Sequence, residues 1–207
     1  MDKKVITIID YGMGNIGSLE NMILKVGGMP VITSDYRIIQ DAEKLLLPGV
    51  GAFDNGINCL QNLKLIDVLN EQVLVKKKPI LCICLGMQLI TNSSQEGVLK
   101  GLGWIDAETV KFDFNNSQSF RIPHMGWNDI FVKGDSTLFR NLPDEPYFYF
   151  VHSYHLMCND ISDIAATSIY CYEFVSAIQK NNIFGTQFHP EKSHKYGLKV
   201  VENFVNL

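Results

Sequence analysis

Three runs in the first half of the chain are apolar along nearly their whole length and end against a glycine turn. They are Val5-Ile6-Thr7-Ile8-Ile9, Lys44-Leu45-Leu46-Leu47 and Pro79-Ile80-Leu81-Cys82-Ile83-Cys84. A strand that is apolar on both faces must be covered on both faces, the condition of a parallel sheet between layers of helices rather than of an antiparallel sheet with one wet side. The segments between them fit. Ile16, Leu19, Ile23 and Val26 recur at helical spacing until Gly27-Gly28 stops the helix, and residues 58–76 read as mostly helical through Leu60, Leu63, Ile66, Leu69 and Val73. Residues 31–33 read as a further short strand. After about residue 103 the texture changes: strand-like runs at 127–132, 147–151, 174–179 and 183–188, separated by polar turns, predict antiparallel or mixed pairing. A closing helix carries Leu198, Val201, Phe204 and Val205. With no repeat, low-complexity tract or long linker in 207 residues, the expectation is one α/β domain over 1–207 with a mixed, mostly parallel central sheet.

Charge and cysteine usage exclude several classes of function. The 18 basic and 22 acidic residues leave a net charge of -4, and no basic run exceeds Lys76-Lys77-Lys78, so a nucleic-acid partner is not expected. Asp10 follows the first apolar run after five residues, too soon for a secretory core or a membrane span. The five cysteines (Cys59, Cys82, Cys84, Cys158, Cys171) are odd in number and scattered, unlike a disulfide framework. A cytoplasmic protein is the reading.

Four stretches carry candidate chemistry. Gly12-Met13-Gly14-Asn15-Ile16-Gly17 fits the dinucleotide pattern after a strand and before a helix, with Asp35 after the second strand where a ribose-binding acid would sit. The competing reading is a tight strand-to-helix turn. Pro79 to Gln88 runs from a strand into a sharp turn and a helix. This places Cys84 as a nucleophile at an elbow, with the Leu85 N–H aimed where an oxyanion forms, while Cys82 packs. In Phe188-His189-Pro190-Glu191, Pro190 extends His189, and period-two alternation turns His189 and Glu191 the same way, giving a general base held by a carboxylate. In Leu47-Pro48-Gly49-Val50-Gly51, the glycines let backbone approach a ligand closely. Pro123-His124-Met125-Gly126-Trp127-Asn128 reads alone only as a loop with a possible contact surface.

Together these motifs, with Tyr149-Phe150-Val151-His152-Ser153-Tyr154 and Gln187-Phe188-His189-Pro190-Glu191-Lys192-Ser193, resemble the class I, or triad, glutamine amidotransferases. Within that class they are most similar to the glutaminase subunits of imidazole glycerol phosphate synthase. The resemblance implies a three-layer, flavodoxin-like sandwich and a Cys84, His189, Glu191 triad acting on L-glutamine. It places oxyanion donors at Val50 and Leu85, and substrate contacts at Gly49, Gly51, Gln88 and Glu96. It implies no cofactor and no metal, and a (β/α)8-barrel cyclase or synthase partner in a heterodimer, contacted near Asn15, Met125 and Trp127. It also disposes of the dinucleotide reading. Three positions depart from the usual pattern: Cys82 replaces a glycine, Gly17 a larger basic residue and His155 a second tyrosine. The latter two are shared with paralogous subunits that feed ammonia to surface-sugar synthetases, so the acceptor stays open between the histidine and sugar pathways.

Overall fold

The apolar runs become neighbouring strands. The protein is described by a computed structural model over residues 4–114 and 120–207. In chain order the strands are β1 (Val5–Ile9), β2 (Met29–Thr33), β3 (Leu45–Leu47), β4 (Ile80–Ile83), β5 (Ser93–Ser94), β6 (Ala107–Lys111), β7 (His124–Asp129), β8 (Phe131–Val132), β9 (Tyr147–His152), β10 (Tyr154–Cys158), β11 (Ile164–Tyr170), β12 (Tyr172–Lys180) and β13 (Ile183–Thr186). The helices are α1 (Ile16–Lys25), α2 (Tyr36–Asp41), α3 (Phe53–Asn62), α4 (Ile66–Asn70), α5 (Leu85–Leu89) and α6 (His194–Val205). Half of the main sheet is parallel, in the order β2-β1-β3-β4-β13. It continues antiparallel through β12, β10 and β6, with β5 on the edge and β11 and β8 branching from β12. Strands β7 and β9 form a separate two-stranded ribbon.

Because successive side chains of a strand face opposite ways, the parallel half divides its residues between two cores. Ile6, Ile8, Leu46 and Leu81 pack with Leu19 and Ile23 of α1 and with Val200, Val201 and Phe204 of α6. Ile9, Leu45, Leu47 and Ile80 pack on the other face with Ile57 and Leu60 of α3, Leu69 of α4 and Leu89 of α5. This is the three-layer α/β arrangement with a mixed central sheet. Truncating one of the fully buried leucines, Leu46→Ala for instance, costs about 2–5 kcal/mol, a large part of a domain's stability.

Several local expectations change. The helical segment at 58–76 is broken at Lys64, whose φ is 56°, and ends in a π-helical turn over Glu71–Val75. The run at 127–132 divides between β7 and β8. Asp35 is no ribose-binding acid: its carboxylate caps α2, accepting from the Arg37 N–H at 2.7 Å. Among the described residues no helix is long and apolar enough to cross a membrane.

Candidate active site

The C-terminal ends of β3, β4 and β13 lie side by side, so the residues that follow them meet. After β4, the Cys84 N–H donates to the Thr186 carbonyl at 2.7 Å, and the chain turns at φ 53° and ψ -110° directly into α5. A side-chain-bearing residue in that region stores about 1–3 kcal/mol of strain, which the strand on one side and the helix on the other hold in place. The turn lifts the Cys84 thiol to a cavity wall. Cys82 is fully buried within the core under α3 to α5, and burial pushes its thiol pKa far up.

His189 is fixed by its own backbone, whose N–H donates to Tyr149 of β9 at 2.9 Å and whose carbonyl accepts from the Ser193 hydroxyl at 2.6 Å. Its Nδ1 lies 2.8 Å from Glu191 Oε1, with both side chains only 2% exposed. The pair forms as expected, but strand alternation is not its cause. β13 ends at Thr186, and Glu191 reaches the ring through a 3-10 turn over Pro190–Lys192. Because a carboxylate only accepts, Nδ1 carries the proton, and Nε2 is left as the reactive nitrogen without a hydrogen-bond partner among the described residues. Burial pulls the imidazole pKa down, but interaction with the Cys84 sulfur and with Glu191 outweighs it and holds the pKa at about 10.

The glycine loop after β3 packs on the elbow. A Cβ at Gly49 would lie 2.6 Å from the Gly86 nitrogen, and Gly51 has φ 114°, so neither position accepts a side chain. Tyr11, buried, donates its hydroxyl to the Pro48 carbonyl at 2.6 Å and pins the start of the loop. The Leu85 N–H donates to the Gly49 carbonyl at 3.3 Å. In a trans peptide the N–H points opposite to the C=O, so the Val50 N–H is turned away from Leu85. The two oxyanion donors expected from the sequence are therefore not presented together in this state.

A cavity of about 340 Å³ lies over these elements, lined by Val50, Gly51, Cys84, Leu85, Gln88, Glu96 and His189 among others. This is within the ~300–1,000 Å³ of small-molecule sites. Gly49 is not among the residues lining this cavity and packs closely against Gly86 and Leu85 of the elbow. Glu96 is anchored through Oε2, which accepts from the Phe53 N–H at 2.8 Å. Gln88 spends both amide hydrogens inside the protein, on the Tyr154 carbonyl at 3.2 Å and on Gln187 Oε1 at 3.1 Å, so what it offers the cavity is its oxygen. The wall also contains Pro123, Val151, His152, Ser153, Tyr154 and Lys192, none of which sequence reasoning singles out for a role. Their one signal is membership in three of the motif runs, because what brings most of them here is the β9 to β10 turn.

Asn15, Met125 and Trp127 lie outside the cavity. Asn15 is exposed at the start of α1, and Met125 and Trp127 are 62% and 42% exposed on β7. Their connection to the site is through the ribbon, since β9 pairs with β7 and contributes Val151 and His152 to the wall. Trp127 also stacks on His194, with ring centroids 5.3 Å apart and planes within 8°. Among the described residues no group of three or more His, Cys, Asp or Glu side chains could hold a metal ion.

The fold agrees with comparisons to known proteins. The chain is 55% identical over 201 residues to imidazole glycerol phosphate synthase subunit HisH 2 of Methanococcus maripaludis, covering 97% of this chain and 98% of that one. It is 44% identical to the HisH 2 subunit of Pseudomonas aeruginosa and 45% to the HisH 1 subunit of Campylobacter jejuni strain RM1221, each covering 98% of this chain and 100% of the relative. Among solved structures, a putative GMP synthase subunit from Thermoplasma acidophilum superposes with a TM-score of 0.72 at 22% identity, covering 98% of this chain and 92% of that one. PurLQS from Thermotoga maritima gives 0.71 at 20%, covering 99% and 98%, and both establish the fold alone. The family model "Glutamine amidotransferase class-I" matches residues 7–207, and the chain belongs to that family.

Proposed function

We propose that the chain is a single-domain glutaminase subunit that hydrolyses L-glutamine and passes the ammonia to a synthase partner. The observation that carries this reading is the strained Cys84 elbow sharing one cavity with the free Nε2 of a carboxylate-held imidazole. Cys84 attacks the carboxamide carbon of glutamine, and the carbonyl becomes an oxyanion. His189 Nε2–H gives its proton to the departing nitrogen, the C–N bond breaks and ammonia leaves behind a thioester. His189 then takes a proton from water as it adds to the thioester, and glutamate is released with the sulfur restored. Glu191 keeps the ring oriented and its charge compensated throughout. The anchored carboxylate of Glu96 suits the substrate ammonium group, and Gln88 offers an acceptor beside it.

Ammonia loses its nucleophilicity when protonated in water, so it must be delivered directly. The partner proposed is a (β/α)8-barrel cyclase forming a heterodimer over the cavity mouth near Asn15, Met125 and Trp127, in the cytoplasm. Relatives named imidazole glycerol phosphate synthase subunit support the histidine pathway as the destination. A sugar-pathway acceptor is the second reading, favoured by Gly17, around whose Cβ position nothing lies within 4 Å, and by His155.

The inward Gly49 carbonyl supports a resting state. Rotating that one peptide frees the Leu85 N–H and brings in the Val50 N–H, and a missing oxyanion donor costs ~10²–10³ in rate. Steady-state glutamine hydrolysis by the isolated chain is expected to be slow and to rise on adding a barrel partner with its acceptor bound. Fast hydrolysis unchanged by the partner overturns this reading. Rescue of a histidine auxotroph lacking its own glutaminase subunit separates the two pathways.

A further inference from the structure

Gln187 is fully buried between β13 and His189, does not line the cavity and has no part in the reaction as described above. Its side-chain Nε2 is 3.6 Å from Cys84 Sγ, within reach of a hydrogen bond to sulfur. The direction of that amide follows from its neighbours. The Tyr154 carbonyl only accepts, so Gln88 turns its NH2 toward it. The second hydrogen of that NH2 goes to Gln187 Oε1 at 3.1 Å. Gln187 is left with its own NH2 facing the sulfur. Reversing it would set two donors against each other at Gln88 and a carbonyl oxygen against Sγ.

We propose that Gln187 is a further residue of the nucleophile site, whose N–H donates to the Cys84 sulfur and supports its negative charge before attack and when it is released from the thioester. The inference rests on Cys84 being the nucleophile. It adds a donor that does not move with substrate, whereas the imidazole must exchange protons in each half-reaction. The same chain of hydrogen bonds ties that donor to the wall through Gln88 and Tyr154, and His152 Nδ1 donates to the same Tyr154 carbonyl at 2.8 Å.

The test is the pH dependence of Cys84 alkylation by iodoacetamide, followed by mass spectrometry of the Cys84 peptide, beside steady-state glutamine hydrolysis. Titratable groups facing the site are His189 and Glu191 from the turn after β13, Tyr11 from the loop after β1, His152 from β9, and Glu96, Tyr154 and Lys192 on the wall. Gln187→Met fills the same space without a donor and leaves these unchanged. Its alkylation midpoint is expected to rise by about one pH unit, a tenfold loss of Cys84 reactivity below the midpoint. kcat falls in proportion while KM stays within about twofold. Gln187→Glu, isosteric and still able to accept from Gln88, shifts the midpoint further up because it sets a carboxylate against the sulfur. It carries the test alone if Gln187→Met does not fold. An unchanged midpoint in a folded variant overturns the inference, even where kcat drops, because packing alone lowers kcat without moving the midpoint. Alkylation of wild-type Cys84 no faster than that of exposed Cys171 instead overturns the nucleophile assignment beneath it.

Discussion

Four of the five histidines are buried, and they divide into two regions with opposite electrostatics. At the strand ends, His189 faces a carboxylate and a thiol, and its pKa is held up at about 10 against the opposing effect of burial. In the aromatic cage around Phe112 and Phe174, burial lowers His124 to about 4, lowers His152 well below its ordinary value and lowers His155. The difference is not depth, since all four are at most 8% exposed. It is what each ring nitrogen meets. His152 Nδ1 meets the Tyr154 carbonyl, so Nε2 must accept, and His124 Nδ1 donates to it at 2.9 Å. Protonating either ring would set N–H against N–H. One region stores a proton for chemistry, whereas the other is built from neutral rings that fix geometry.

The largest effect expected from this contrast is on turnover. General acid-base catalysis contributes about 10²–10⁴ in rate, so His189→Asn should lower glutamine hydrolysis by at least that factor. Glu191→Gln should lower it less, because the amide oxygen still accepts from Nδ1 while the compensating charge is gone. Kinetics of the two variants side by side settle the ranking. Equal losses would mean that Glu191 does more than orient and compensate. Cys84→Ala should abolish glutamine-dependent synthesis in the partnered complex and leave ammonia-dependent synthesis intact, and residual glutaminase activity would move the nucleophile elsewhere.

The second effect is on stability. The cage histidines have folded-state pKa values below 6.5, so as pH falls from about 6.5 toward 4 the unfolded chain binds protons that the native chain refuses. Stability contributed by their neutral state is complete above pH 6.5 and is lost on acidification, at about 1.4 kcal/mol per pH unit for fully buried His152. His189 has the opposite sign. Its pKa is raised, so its contribution is complete below pH 6.5 and fades as pH rises through about 10. Urea midpoints measured at pH 7.5, 6 and 5 should fall steadily. His189→Asn should keep that acid branch, and a flat profile would show that the cage is not neutral.

The two regions also differ in how far the sequence announces them. The parallel half is buried on both faces, so β1, β3 and β4 are written as apolar runs, and the elbow at Cys84 follows from where β4 stops, while His189 comes just after the end of β13. The cage sits on strands of another texture. β6 is Ala-Glu-Thr-Val-Lys with buried and open positions mixed, and β11 buries Thr167 and Ser168 along with two alanines, so hydropathy marks neither as a strand. β10, which carries His155, escapes sequence reading for a related reason: its exposed Met157 and half-buried Tyr154 blur the alternation. Glu191 is legible as the partner but not in its geometry, because a 3-10 turn after proline and a strand continuation put the residue two positions on at similar reach. The inward Gly49 carbonyl and the amide chain to Cys84 leave no trace in residue type, since both depend on which way a peptide or an amide is turned.

The smallest expected effect separates the cage from the site most cleanly. His155 Nδ1 faces the Leu156 carbonyl at 3.1 Å and so carries the proton, leaving Nε2 to accept from the Tyr172 hydroxyl at 3.0 Å. His155→Phe keeps a ring against Phe112, whose centroid is 4.7 Å away, and removes both hydrogen bonds. Tyr172 is half-exposed and its hydroxyl can turn to water, while the Leu156 carbonyl loses a partner, so the net cost should be about 1 kcal/mol at pH 7.5. Below pH 6.5 that cost should shrink and then reverse, because the variant no longer carries a histidine that resists protonation. Glutamine hydrolysis should stay within about twofold, since His155 is absent from the cavity wall. The measurement is urea unfolding of both proteins across the acid range, with glutaminase rates at neutral pH. Parallel stability profiles would place the acid lability in His124 and His152 alone, and a tenfold loss of turnover would show that the cage transmits to the catalytic site rather than only framing it.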